Sequence, residues 1–254
     1  MDLFVKKRIQ EEFVLHEEIN SIELIGFSGS ISWLPVEGAG PCIVAEKEVR
    51  GLSSGAVDEV LEELKVESTI SQGKMVLRAE KPIRPFGLVT SQVSFRVYAS
   101  PDQIEEFFAQ TSNGTISLDV DFHGKLDLRT ANGRIELQSG KGQVNATTSN
   151  GRVTFGKLAL QGLSSVRTSN GRIEGQAEFA ADGNYLFETS NGAIELRMPH
   201  DTPGSFRVTT SNGKVTFGVG EDKVAGGKQV TIDRGEGPSV RIATSNGSVS
   251  VLGY

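Results

Sequence analysis

Thr130-Ala131-Asn132-Gly133-Arg134-Ile135-Glu136-Leu137, Thr148-Ser149-Asn150-Gly151-Arg152-Val153-Thr154-Phe155 and Thr168-Ser169-Asn170-Gly171-Arg172-Ile173 are copies of one phrase. Asn-Gly pairs begin at Asn113, Asn132, Asn150, Asn170, Asn191, Asn212 and Asn246, at spacings of 19, 18, 20, 21, 21 and 34 residues. Threonine stands two places before each asparagine, at Thr111, Thr130, Thr148, Thr168, Thr189, Thr210 and Thr244. The residue between them is serine, except Ala131. A fixed period of this kind marks a repeat architecture.

Apolar residues hold the same register. Three and five places after asparagine stand pairs such as Ile116/Leu118, Ile135/Leu137, Val153/Phe155, Ile194/Leu196, Val215/Phe217 and Val249/Val251, whereas Ile173 is followed by Gly175. Four and six places before it stand Leu126/Leu128, Val144/Ala146, Tyr185/Phe187, Phe206/Val208 and Val240/Ile242. Charged or hydroxyl residues alternate with them, so each repeat reads as two half-buried strands joined at Asn-Gly.

Two architectures fit. Asn-Gly between alternating strands signals a type I′ hairpin, and hence a long antiparallel meander. A β-solenoid instead makes each repeat one coil of about 18–21 residues, its strands stacked ~4.8 Å apart. The meander would roll about fourteen strands around an interior that side chains do not fill. The solenoid buries the apolar face within each coil and explains why identical residues recur in register. It is the expected fold, all-β, with asparagines at 113, 132, 150, 170, 191, 212 and 246 forming an inward amide ladder. The following glycine is expected to supply backbone freedom at the corner.

Residues 1–100 read as a capping region and residues 101–254 as the seven-copy repeat, together one continuous domain. Ile22 and Leu24 before Ser28-Gly29, with Ile31 and Trp33 after it, form a degenerate copy with serine in the asparagine slot. An extended stretch Cys42–Val49 and a short helix at about 54–65 follow. The helix puts Ala56, Val57, Val60, Leu61 and Leu64 on one face and is expected to cap the stack. Strands are expected at Lys74–Ala79 and Gln92–Tyr98, around the loop Lys81-Pro82-Ile83-Arg84-Pro85-Phe86.

With repeat and leader together, the chain resembles the bacterial putative-adhesin family of β-strand-repeat proteins, similar to the head domain of putative auto-transporter adhesins. The resemblance rests on the Thr-Ser-Asn-Gly-x-Ile/Val-x-apolar unit, the helix before the full repeats, and the strand ending at Tyr98-Ala99-Ser100-Pro101. It spans about Ile22 to Val251. It implies a right-handed, single-stranded β-helix and an association with the cell envelope.

Composition narrows the function classes. The 254 residues carry a net charge of −6, with 15 acids and 8 bases in residues 1–80 and 17 and 18 in the remainder. No basic domain stands out, so no nucleic-acid partner is expected. No apolar run reaches the length of a membrane span. Residues 1–8 lack the apolar core of a secretion signal, which points to a cytoplasmic location or one peripheral to the envelope. The single cysteine, Cys42, excludes an internal disulfide framework and reads as a small buried strand residue.

No catalytic constellation, cofactor or metal site is expected. Glu136, Glu174 and Glu195 share one outward slot, but Thr154 and Thr216 interrupt the column. Asp119, Asp121 and Asp127 read as surface charge, and His16, His123 and His200 occupy unrelated positions. The slot two after asparagine holds Arg134, Arg152, Arg172 and Lys214, a candidate column for an acidic cell-wall glycan or polymer. The long interval before Asn246 carries about 14 extra residues within 218–238. Its acidic, glycine-rich stretches Gly220-Glu221-Asp222 and Asp233-Arg234-Gly235-Glu236-Gly237 offer ligands for calcium, but a flexible loop or a hairpin through Gln229–Ile232 is the leading expectation.

The leading function is a non-catalytic envelope or surface-interaction protein, a rigid rod presenting one face to a protein or an acidic polymer. A self-assembling scaffold is the runner-up, because the last copy ends at Val251-Leu252-Gly253-Tyr254 and nothing after it covers the C-terminal coil edge. A carbohydrate-active β-helix enzyme ranks third.

Overall fold

A computed structural model describes residues 4–35, 40–82 and 89–254. Within them the chain is all-β apart from one α-helix and a short 3-10 turn, and the strands join in one large sheet that is not closed into a barrel. The leader contains β1 (Val5–Val14), β2 (Ser21–Ile25), β3 (Ile31–Leu34), β4 (Cys42–Gly51) and α1 (Ser54–Glu63), then β5 (Val66–Ser71), β6 (Lys74–Ala79) and β7 (Thr90–Tyr98). The repeats follow as β8 (Glu106–Thr111), β9 (Ile116–Thr130), β10 (Ile135–Thr148), β11 (Val153–Leu160), β12 (Leu163–Thr168), β13 (Ile173–Phe179) and β14 (Asn184–Thr189). The last third holds β15 (Ile194–Met198), β16 (Ser205–Thr210), β17 (Val215–Val219), β18 (Asp222–Ala225), β19 (Gln229–Asp233), β20 (Ser239–Thr244) and β21 (Val249–Gly253).

The segment that leads into an Asn-Gly corner does not form an antiparallel pair with the segment that leaves it. Each pairs in parallel with its counterpart one repeat away: Ile135 lies opposite Val153, and Thr148 opposite Thr168. The antiparallel meander does not form. Two parallel ladders result. Strands that follow the corner run β7–β3–β9–β10–β11–β13–β15–β21–β17. Strands that lead into it run β6–β2–β8–β9–β10–β12–β14–β20–β16, the long β9 and β10 serving both ladders. On both ladders the alternating apolar residues named above are buried.

The stacking order is not the chain order. β20 inserts between β14 and β16, and β21 between β15 and β17. The last repeat in sequence is therefore an internal layer, and the repeat of Asn212 is the outermost. Its two strands are covered by residues 218–238, which form β18 antiparallel to β17 and β19 antiparallel to β16. This corrects one expectation: the C-terminal coil edge is not an edge, because β21 is hydrogen-bonded on both sides. Of the two readings of the insertion, the free loop falls and a strand does run through Gln229–Ile232, although β18 and β19 pair with β17 and β16 and not with each other.

The leader repeats the device. β2 and β3 sit between β6/β7 and β8/β9, and Ser28 bridges Asn113, so serine does occupy the asparagine slot. The outer layer is then covered by β5 antiparallel to β6 and β4 antiparallel to β7, with β1 antiparallel to β4. The helix starts at the Ser53 cap, whose hydroxyl accepts from the Ala56 N–H at 3.2 Å. It buries Val57 and Val60, ends at the buried C-cap Leu64, and packs on β4 and β1, so antiparallel strands rather than the helix cover the outer layer. Part of the loop expected at 81–86 lies outside the described residues.

Aromatic rings fill the interior. Trp33 is buried 4.8 Å from Phe107 and 5.4 Å from Phe122, and its indole N–H donates to the Ala99 carbonyl at 3.0 Å. The exception at Gly175 has a packing cause: a Cβ there would lie 2.2 Å from Phe155 of the adjacent layer.

Candidate functional site

The repeated corner is built from three rows of side and main chain. The asparagine side-chain amides donate in one direction, from Asn212 to Asn246, then to Asn191, Asn170, Asn150 and Asn132, and finally from Asn132 to Asn113 at 2.8 Å. The ladder forms, but every member is exposed, so it runs along the outer corner and not inward as expected. The buried polar row is threonine. Each hydroxyl donates to a glycine carbonyl one layer away, as from Thr130 to Gly114 at 3.0 Å, Thr148 to Gly133 at 2.8 Å and Thr168 to Gly151 at 2.8 Å.

Glycine is required for contact, not for backbone freedom. None of the seven repeat glycines has a positive φ. A Cβ at Gly171 would lie 1.8 Å from the Gly151 carbonyl oxygen, and one at Gly133 only 1.7 Å from that of Gly114. The corners stack main chain on main chain.

The predicted cationic column extends from this corner into solvent. Arg134, Arg152 and Arg172 lie on successive layers, and all three are exposed. Arg134 reaches Glu136 at 3.9 Å, and Arg172 reaches Glu174 at 3.7 Å and Glu195 at 3.6 Å. Among the described residues no carboxylate lies within salt-bridge distance of Arg152. Lys214 does not join them, because the layers of Ala193 and Ser248 stand between it and Arg172. The column is a run of three with an outlier.

The acidic and histidine candidates remain apart. Glu174 and Glu195 are register neighbours, and Glu136 is separated from them by Thr154. Asp121 accepts from Ser139 at 2.8 Å and lies 3.5 Å from His123, whereas Asp127 binds Arg129 on the other ladder. His200 accepts from the Gly220 N–H at 3.2 Å. Among the described residues no three His, Cys, Asp or Glu side chains converge as metal ligands. Burial first, and the nearby Glu12 next, push the Cys42 thiol above its ordinary pKa.

The stretches considered for calcium are organised by Arg234 instead. Its guanidinium binds Asp222 at 2.6 Å and the carbonyls of Val219, Thr202 and His200 at 2.6, 2.8 and 2.7 Å. A fixed cation already gathers these oxygens.

Sequence reasoning missed a polar groove on the other ladder. A cleft of about 600 Å³ is lined by Gln110, Asp127, Arg129, Asn145, Thr147 and Ser165, among others. Arg129 takes both Asp127 oxygens, at 2.8 and 2.6 Å, and lies 5.3 Å above the Phe108 ring. Ser165 donates to Asn145 at 2.9 Å. The outward slots three and five places before asparagine carried the signal, since they hold amides (Gln110, Asn145), hydroxyls (Thr147, Ser165) and a charge pair (Asp127, Arg129) in adjacent layers.

No helix among the described residues is long and apolar enough to cross a membrane. No family profile matches the chain, and no curated protein matches it in sequence. It is similar to solved structures described as a putative adhesin from Bacteroides fragilis NCTC 9343 (10% identity, TM-score 0.46, 98% of this chain and 97% of that one) and a putative adhesin from Parabacteroides merdae ATCC 43184 (12%, 0.38, 97% and 96%). A third is described as a putative lipid binding protein from Parabacteroides distasonis ATCC 8503 (9%, 0.39, 97% and 96%). The description shared by the first two is the one that the repeat and leader resemble.

Proposed function

We propose that this chain is a non-catalytic bacterial surface-interaction protein of the cell envelope, a rigid β-solenoid that holds an extended acidic polymer along its arginine row. The two parallel ladders are the walls of a right-handed, single-stranded β-helix, as the resemblance implies. Their one-repeat register and the buried rows on both ladders support that architecture. The observation that carries the function is the placement of Arg134, Arg152 and Arg172 on successive layers, ~4.8 Å apart, with Arg152 in the middle and no carboxylate in reach among the described residues. A polymer with repeating anionic groups meets several guanidinium forks at once.

Binding of an acidic polysaccharide and of teichoic acid, measured by calorimetry at low and high salt, tests this. The expected result is salt-sensitive binding that Arg152→Glu abolishes with thermal stability unchanged. Undiminished binding by the variant overturns it. The polar groove supports a second reading, a neutral glycan held by Asn145, Thr147 and the Asp127–Arg129 pair. Salt-insensitive binding lost in Asn145→Ala and kept in Arg152→Glu would select it.

A further inference from the structure

The outer strand β1 differs from the other covering strands. It is ten residues long, and among the described residues it pairs with β4 alone. The Leu15 N–H donates to the Pro41 carbonyl at 2.9 Å, one rung beyond the Val14–Cys42 pair. Hydrogen-bonded rungs alternate along an antiparallel ladder, so the odd-numbered residues of β1 bond to β4. Lys6, Arg8, Gln10 and Glu12 therefore turn their N–H and C=O groups to the open side.

That open edge matches itself. The stretch Phe4-Val5-Lys6-Lys7-Arg8-Ile9-Gln10-Glu11-Glu12-Phe13-Val14 is symmetric in apolar residues about Ile9 and antisymmetric in charge at Lys7/Glu11 and Lys6/Glu12, while Arg8 meets the neutral Gln10. Pairing it with a second copy, antiparallel and centred on Ile9, sets Lys7 against Glu11 and Lys6 against Glu12. The same register sets Val5 against Phe13, Phe4 against Val14 and Ile9 against Ile9. Phe4, Ile9 and Val14, at 52, 48 and 56% exposure, are among the most exposed large apolar side chains of the molecule, and all three gain apolar partners. The neighbouring registers fail. Centring on Arg8 opposes it to itself, and centring on Gln10 sets Lys7 against Phe13 and Lys6 against Val14. Centring between residues would pair opposite faces.

We infer that β1 is a self-recognition edge through which two copies of this chain form a two-fold dimer. The strands β4–β1–β1–β4 then make a continuous antiparallel ribbon, with both α1 helices on the same face. Charges that merely blunt an edge need no such order; two signs arranged about a central Ile9 are what an isologous interface requires. The dimer presents two arginine rows, but it does not depend on what those rows bind.

Light scattering on a sizing column, from micromolar to hundreds of micromolar protein, tests the inference. The mass should rise from 27.2 kDa to twice that value. Glu12→Lys sets lysine against Lys6 and should hold the protein at monomer mass. Lys6→Glu should do the same, because it sets glutamate against Glu12. An equimolar mixture of the two variants restores both pairs and should restore the doubled mass. Lys6 also binds Glu48 at 2.9 Å, so amide exchange of the unmodified protein provides an independent measurement. The amides of Lys6, Arg8, Gln10 and Glu12 should gain protection as concentration rises, while those of Lys7, Ile9 and Glu11 are protected throughout. A monomer at every concentration, a dimer indifferent to Glu12→Lys, or a mixture that stays monomeric would each overturn the proposal.

Discussion

Replacing Thr168 with valine separates the two polar rows of the corner. Thr168 is buried, and its hydroxyl donates to the Gly151 carbonyl at 2.8 Å. No backbone N–H reaches that carbonyl among the described residues, and Gly171 packs directly over it. Valine keeps the shape and removes the donor, leaving a carbonyl covered by the next layer without a partner, at a cost of about 2 kcal/mol. Thr168→Ser keeps the donor and loses one buried methyl, about 1 kcal/mol. Asn170→Ala breaks two ladder bonds, to Asn150 and from Asn191, but water reaches the exposed amides left behind, and the cost should stay below about 1 kcal/mol. For a chain of this size about 2 kcal/mol lowers Tm by roughly 4–8 °C. Circular dichroism melts of the three variants, with amide exchange around Gly151 as a local readout, give the ranking. A Thr168→Val protein that melts with the parent, or an Asn170→Ala loss larger than that of Thr168→Val, would refute the assignment of the corner's stability to the buried row.

Gly171→Ala should cost more than about 3 kcal/mol, because its Cβ sits 1.8 Å from backbone that can move only by spreading two layers; urea denaturation measures it, and a loss under 1 kcal/mol would rule out the close stack. Burial alone would raise the Glu48 pKa, but hydrogen bonds from Lys6, Arg8 and Arg50 outweigh it and bring the carboxyl down to about 2. A depressed carboxylate contributes stability above its unfolded value near 4.3, on the order of 2 kcal/mol, and loses it as pH falls toward 2. The protection factors of the β1 amides, measured against the intrinsic exchange rate at each pH, should therefore fall between pH 4 and 2, and Glu48→Gln should flatten that dependence. Arg234→Met strands three carbonyls and Asp222, so the covering strands β18 and β19 should lose exchange protection before the rest, with a cost of about 3 kcal/mol. The amides of Val249 and Val251 should exchange as slowly as those of Val153 and Phe155, since both pairs lie in internal layers; fast exchange there would contradict the insertion of β21.

The residues revealed register more readily than order. Thr168 shares parity with the inward residues at four and six places before asparagine, so the depth of the threonine row was legible in the alternation itself. The asparagine was not placed by that rule, because the inward slots resume three places after it, and the odd step means that the corner interrupts the alternation. The arginine row was legible as far as Arg172; Lys214 was misplaced because counting repeats along the chain assumes that neighbours in sequence are neighbours in space. The 34-residue spacing before Asn246 was the available sign that they are not. Fourteen residues beyond one repeat are what two covering strands and a return path need. Arg234 was beyond reach, because its four acceptors come from separate segments that only the folded cover brings together.

Both ends follow from one constraint. A parallel stack that stops at a bare strand invites another strand of the same direction, and an antiparallel cover removes the matching register. At each end the chain places an outer layer, covers it with antiparallel strands, and leaves the layer beneath to a segment from elsewhere in sequence: β2/β3 at one end, β20/β21 at the other. Covering moves the open edge outward rather than abolishing it, so the new edges have to be poor templates. β18, β19 and β5 meet that need by brevity, with four, five and six residues. β1 does not, with ten. A long edge whose charges reverse sign about its centre accepts one partner strand well and most others badly, and the strand that fits it is its own copy.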